Sequence, residues 1–298
     1  MKVYKWGALC LSGLALFACK EEKVTKPAAV AQQPKVEAPA PLPLVSSKPV
    51  TFLQEEKCFA NDRCYQLDVQ SLETNVDWIN QYFQNEARKL LTVNNFELSK
   101  EEMAKIQAEW DKLPLAELKK TYVADVAALF KDAEYAPYGF SLEYKPRFIA
   151  QNQQVAIFTD YFYHYAGGAH GVYATHFTNF DLKTKKVLHI DDVLQPNQRR
   201  GFKNLLREAY LEYLASMENE QDQDKAEQLL QERLDMGWGV EPTDNFTFTY
   251  SGILSSYPPY VLGAYAEGEI QLLIPYERLI DIVKPEFLFN TTKTIISE

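Results

Sequence analysis

Residues 163–194, YHYAGGAHGVYATHFTNFDLKTKKVLHIDDVL, decide the fold. β-Branched and aromatic residues on both sides of the glycines predict two strands, over 155–165 and 172–182, joined by a bent loop. Glycine serves where backbone bends sharply or is closely approached. Gly167, Gly168 and Gly171 around His170 therefore mark a loop of special shape, the first candidate for a working surface. After a second turn, residues 187–190 read as a short strand, and Asp191 and Asp192 as a helix entry.

Outward from this stretch, residues 140–150 read as a further strand, so the middle of the chain is expected to be an antiparallel meander. Upstream, residues 65–72 alternate like a strand, and Val76, Ile79, Tyr82, Phe83, Ala87, Leu90 and Leu91 then recur with helical spacing. Ser99 and Glu102 form a capping box for a second helix, and Pro114 separates it from a third with Leu115, Leu118, Tyr122, Val126, Leu129 and Phe130 on one face. Downstream, Pro196 precedes a helix carrying Phe202, Leu205, Leu206, Ala209, Tyr210, Tyr213 and Met217 on one face, and a shorter helix ends near Gly237. Residues 245–250 and 269–275 return to strand. The expected class is α+β: an antiparallel sheet packed with helices in two interlocked halves, 51–160 and 161–298, with strands from both sides of the helical stretch entering the sheet.

The start of the chain reads as an export leader. Lys2 and Lys5 precede an apolar run that is too short to span a bilayer but suits a signal peptide over residues 1–19. Leu16-Phe17-Ala18-Cys19 resembles the lipobox of bacterial lipoproteins, which makes Cys19 the lipidation site. Lys20 stands where an aspartate often retains lipoproteins in the inner membrane, so the expected address is the cell envelope, on an outer membrane facing the periplasm. Residues 20–50 hold six of the fifteen prolines and no glycine, and read as a disordered Pro/Ala-rich tether. Cys58 and Cys64 are then the only cysteines of the folded part, and an oxidising compartment predicts a disulfide between them.

Charge narrows the partners. The chain carries −10, and −12 once Lys2 and Lys5 leave with the leader. Nucleic acid needs a basic stripe and is excluded as a partner, whereas a basic protein fits. No cofactor is expected, nor a metal site, because His164, His170 and His176 lack a standard ligand spacing. No nucleophile elbow is present, so no catalytic residue is assigned. Asp160, Asp181, Asp191 and Asp192 are the acids that a hydrolase or esterase would draw on, although acids at strand ends more often cap and turn.

The set Gly167-Gly168-Ala169-His170-Gly171, Phe180-Asp181-Leu182, Ile190-Asp191-Asp192-Val193-Leu194, Pro259-Tyr260, Tyr265-Ala266-Glu267-Gly268 and Ile274-Pro275-Tyr276 resembles a secreted bacterial domain. That domain is found in the lysozyme-binding anti-sigma-V receptor and accompanies some peptidoglycan deacetylases. The motif-bearing half is about 163–283, and 65–160 matches a companion half in element order only. Lys185 stands where that family has a turn glycine, and Ala264 where it has a proline. The resemblance implies a lipid-anchored binding module for a lysozyme-like muramidase or peptidoglycan, with Gly167, Gly168, His170, Gly171, Pro259, Tyr260 and Tyr265 as the binding residues. A cell-wall hydrolase or esterase using acidic residues is the alternative. Tyrosines in glycine and proline loops suit binding, since they offer large area at low entropy cost.

Overall fold

The computed structural model describes residues 41–91, 99–131, 137–152, 154–217 and 223–289. The leader, Cys19 and the tether up to residue 40 lie outside the described residues. Pro41–Glu298 clusters as one compact unit. All three buried hydrophobic clusters lie inside it, so it carries its own core and is expected to fold alone. No helix among the described residues is long and apolar enough to cross a membrane.

The fold is α+β, with a six-stranded sheet, mostly antiparallel, and a second sheet of three strands. The first sheet runs in chain order: β1 (Ser47–Cys58), β2 (Cys64–Thr74), β3 (Gly139–Asn152), β4 (Val155–Tyr165), β5 (Val172–Asp181) and β6 (Lys186–Val187). β3 to β6 form the expected meander. β2 and β3 pair in parallel, because α1 (Asp77–Leu90), α2 (Lys100–Trp110) and α3 (Leu115–Ala128) lie between them and a parallel pair needs such a crossover. The single sheet thus continues across the expected boundary at 160/161.

Three details of the first sheet are physical consequences of sequence. The β2–β3 pairing ends at Val69↔Tyr144, and Pro146, two residues on, therefore sits where β3 has no ladder partner on that side. The gap is bridged by Gln151, whose side chain donates to the Pro43 carbonyl (3.0 Å) and accepts from the Val45 N–H (2.8 Å). Val45 is buried and β1 begins at Ser47, so residues 41–50, read as tether, belong to the folded unit. β1 contains Pro49 and a bulge between Thr51 and Leu53, and the disulfide Cys58–Cys64 closes its hairpin with β2.

Alternation along β4 assigns its two faces. Ala156 and Phe158 join α1 residues Ile79 and Phe83 in one cluster, whereas Val155 and Ile157 join a cluster on the other side. That second cluster is built by α4 (Ile190–Val193), α5 (Arg199–Met217), α6 (Gln223–Asp235), β7 (Phe246–Phe248), β8 (Gly252–Tyr257), β9 (Ile270–Pro275) and α7 (Tyr276–Leu279). β7–β8–β9 form a separate antiparallel sheet, whereas the sequence suggested that residues 245–250 and 269–275 enter the first one. The reason lies at the edge of β5. Beyond its short pairing with β6, the Asn245 side chain accepts from the Phe177 N–H (2.8 Å) and donates to the Thr175 carbonyl (2.9 Å), and Glu269 accepts from the Thr175 N–H.

The capping box forms as expected, with Ser99 Oγ donating to Glu102 at 2.6 Å and the Glu102 N–H donating to Ser99 Oγ at 3.3 Å. The strand expected over 187–190 is cut to two residues, because Ile190 already begins α4. Lys185 adopts φ +56°, the left-handed turn conformation that its place in the motif implied.

Candidate functional site

The glycine loop between β4 and β5 meets a loop ninety residues later in the chain. Gly167 and Gly168 have φ of +96° and +99°, which only glycine adopts freely, and Gly167 rests on Pro137. Tyr165 donates to the Gly168 carbonyl at 3.0 Å. Gly171 is a close approach: a Cβ there would lie 2.5 Å from the Tyr163 ring. Together these turn His170 toward the second loop.

There the His170 ring stacks on Tyr265 with centroids 3.7 Å apart. Its Nδ1 lies 3.0 Å from the Gly171 carbonyl, which can only accept, so Nδ1 carries a proton. In the neutral ring Nε2 then accepts from the Tyr260 hydroxyl at 3.2 Å. Tyr265 also donates to the Gly171 carbonyl (2.9 Å), and Tyr173 packs edge-on against it. The Pro258 carbonyl accepts from the Val261 N–H, with Pro259 and Tyr260 as the central pair and Tyr260 at φ +71°. This is the plan of a type II turn, whose third position favours glycine. A tyrosine there costs about 1–3 kcal/mol, and the residue is 55% exposed.

The second loop is held from behind. Arg233 of α6, 6% exposed, donates to the Leu262 carbonyl (2.8 Å) and to Glu267 (2.8 Å). Glu267 in turn accepts from the Ala264 N–H at 2.8 Å, a bond that the family's proline at that position would lack. Gly263 makes room for this, since a Cβ there would come within 2.6 Å of the Arg233 guanidinium.

The structure thus brings Gly167, Gly168, His170, Gly171, Pro259, Tyr260 and Tyr265 to one end of the molecule. The acids go elsewhere. Asp181 accepts from the Lys183 and Thr184 N–H groups, Asp192 caps α4 by accepting from the His189 N–H, and Asp191 pairs with Arg199 at 2.6 Å. The histidines also separate: His164 lies between Phe140 and Phe162, where burial lowers its pKa, and His176 faces Asp160 at 3.3 Å. Sequence reasoning missed Arg233, and it missed the Asp160–His176 pairing, whose signal is only the cross-strand register.

Burial holds the Asp160 carboxyl above the usual carboxylate range, against the pull of His176. The hydrogen bond to Asp160 holds the His176 imidazole above its usual 6.5, against burial, and Glu269 and Glu86 add to the effect. Tyr82, Tyr144 and Thr178 complete the surroundings of the pair. Both groups bind protons more tightly in the folded chain, so stability falls as pH rises. The His176 contribution is complete below 6.5 and is lost as pH rises through the folded value. Thermal midpoints measured from below 6.5 upward are expected to fall in the wild type and to fall less in His176→Gln.

Residues 191–277 match a family model described as "Protein of unknown function (DUF3298)". The chain carries a DUF3298 domain. This domain spans α4 to the start of α7, including Tyr260 and Tyr265 but not the His170 loop. A DUF3298 family protein from Pseudomonas aeruginosa PAO1 has a similar structure, with TM-score 0.54 and 23% identity, over 85% of this chain and 98% of that one. A member of the DUF3298 family from Bacteroides fragilis NCTC 9343 superposes with TM-score 0.56 and 17% identity, over 83% of this chain and 98% of that one. At these identities the likeness is one of fold. No curated protein matches the sequence.

Proposed function

We propose that the chain is a lipid-anchored module of the bacterial cell envelope that docks a basic cell-wall-active protein of the lysozyme kind, through the loop end around His170, Tyr260 and Tyr265. The observation that carries this reading is Tyr260, an exposed aromatic ring kept on strained backbone and clasped to His170. Strain of this kind persists where the surroundings impose it, and it collects at ligand-binding sites. Exposed Val261 follows Tyr260 in sequence, and exposed Val172 lies two residues after His170. Tyr163, against Gly171, also borders an acidic groove with Glu55, Glu56, Asp68 and Glu143, where Lys145 is the cation. An acidic face beside an aromatic anchor complements a basic protein and speeds encounter. The disulfide fits an oxidising compartment.

The test is binding of the unit Pro41–Glu298 to hen-type lysozyme and to purified peptidoglycan, at low and physiological salt. Submicromolar binding to lysozyme that weakens with salt is expected. Tyr260→Gly relieves the positive φ while removing the ring, so its thermal midpoint is expected to hold or rise while affinity falls at least about tenfold, roughly 1.4 kcal/mol. His170→Ala is expected to weaken binding in the same direction. Binding to peptidoglycan alone would transfer the role to the polymer, and binding to neither would end the proposal.

A further inference from the structure

On the opposite face of the six-stranded sheet, a cleft of about 460 Å³ opens between α1 and the β6–α4 connection. That size is within the about 300–1,000 Å³ of small-molecule sites. Its floor is one face of the sheet, set by the pairs Tyr144↔Phe162 and Asp160↔His176, and α1 places Tyr82 and Glu86, four residues apart, along one wall.

Two buried polar groups face this cleft. Tyr144 is 3% exposed, and among the described residues its hydroxyl has no hydrogen-bond partner. A buried polar group left unpaired costs about 1–3 kcal/mol, which a ligand would recover. Asp160 is 7% exposed and gives one carboxylate oxygen to His176, leaving acceptor capacity to spare. Tyr144 and Asp160 are diagonal neighbours on one face, a relation that puts a long side chain within reach of its neighbour, so one small group can meet both.

The donor and acceptor pattern selects the ligand chemistry. The phenol needs an acceptor and the carboxylate needs a donor, and a hydroxyl is both at a single atom. An ammonium only donates and leaves the Tyr144 proton unpaired. A phosphate would bring its negative charge against the carboxylates of Asp160, Glu86 and Asp244. Phe162 supplies apolar surface for the C–H face of a ring. We infer that this cleft is a binding site for a neutral saccharide of one or two rings, with Tyr144 and Asp160 sharing one sugar hydroxyl. The site is separate from the loop end and does not depend on the docking of a protein there.

The experiment is a titration of the unit Pro41–Glu298 with N,N′-diacetylchitobiose and with maltose, followed by NMR and calorimetry, with spermidine and inorganic phosphate as comparison ligands. Saturable binding of a disaccharide is expected, weakened at least tenfold by Tyr144→Phe and by Asp160→Asn. Tyr144→Phe removes only the unpaired hydroxyl, so its thermal midpoint without ligand is expected to stay or rise, which separates lost binding from lost fold. Disaccharide binding that Tyr144→Phe leaves unchanged would overturn the inference. So would saturable binding of spermidine or phosphate without a disaccharide response, or no binding of any of the four.

Discussion

Arg233→Ala is expected to destabilise the unit by about 3–5 kcal/mol, because removing one partner of a buried ion pair strands the other. Glu267, with 15% of its side chain exposed, would keep its charge without the guanidinium, and the Leu262 carbonyl would lose the same donor. The Tyr210 hydroxyl also donates to that carbonyl, and it alone would hold the loop to α5. The damage should therefore extend beyond stability. Hydrogen exchange is expected to rise across 258–268, and any ligand held by Tyr260 should be bound more weakly. A double change, Arg233→Met with Glu267→Gln, removes both charges and should cost less than Arg233→Ala alone. Urea unfolding of the two single variants and the double gives the coupling. Equal losses in Arg233→Ala and in the double variant would mean that the pair is not what pins the loop.

Gly252→Ala is the second large effect, expected at about 3–4 kcal/mol or as failure to accumulate folded chain. Gly252 opens β8 opposite Pro275, and a Cβ there would lie 2.0 Å from the Ile274 carbonyl oxygen and 2.8 Å from its carbon. Those atoms are backbone of the neighbouring strand and cannot swing aside as a side chain would. To admit the methyl, β9 has to separate from β8, carrying Ile270, Leu272 and Ile274 out of the core. Gly237→Ala is the control. It has φ +83° but open space around it, so its cost is the conformational one of about 1–2 kcal/mol. Chemical unfolding followed by far-ultraviolet circular dichroism would rank the two, and equal costs would show that the strand contact yields easily.

The long periodic elements were legible in the sequence, and the edges were not. α1 carries strong apolar periodicity and β4 a run of β-branched and aromatic residues, and the reading placed β4 to the residue. β1 was hidden because its exposed residues, Glu55, Glu56 and Lys57 among them, are those of an edge strand and resemble the tether before it. β8 was missed as a short run, GILSSY, with two buried serines. Only their partner across the sheet explains either strand. At the candidate site, the glycines around His170 declared a shaped loop, but nothing in spacing brings Tyr260 to it; the family resemblance did that. Arg233 stood in QDKAEQLLQERLD, which reads as a solvated helix, and its burial depends on Glu267, thirty-four residues away.

The side chain of Asn245, lying along β5 in place of a strand, has a consequence for how molecules of this protein meet others. At that margin the N–H and C=O of Thr175 and the N–H of Phe177 are already answered, and at the far margin β1 brings Pro49, a bulge and a run of charges. Sheets with such margins resist growth by another chain, the first step of fibril formation and of partner capture by strand addition. A protein crowded among copies of itself would gain by this, because its contacts are then left to side chains.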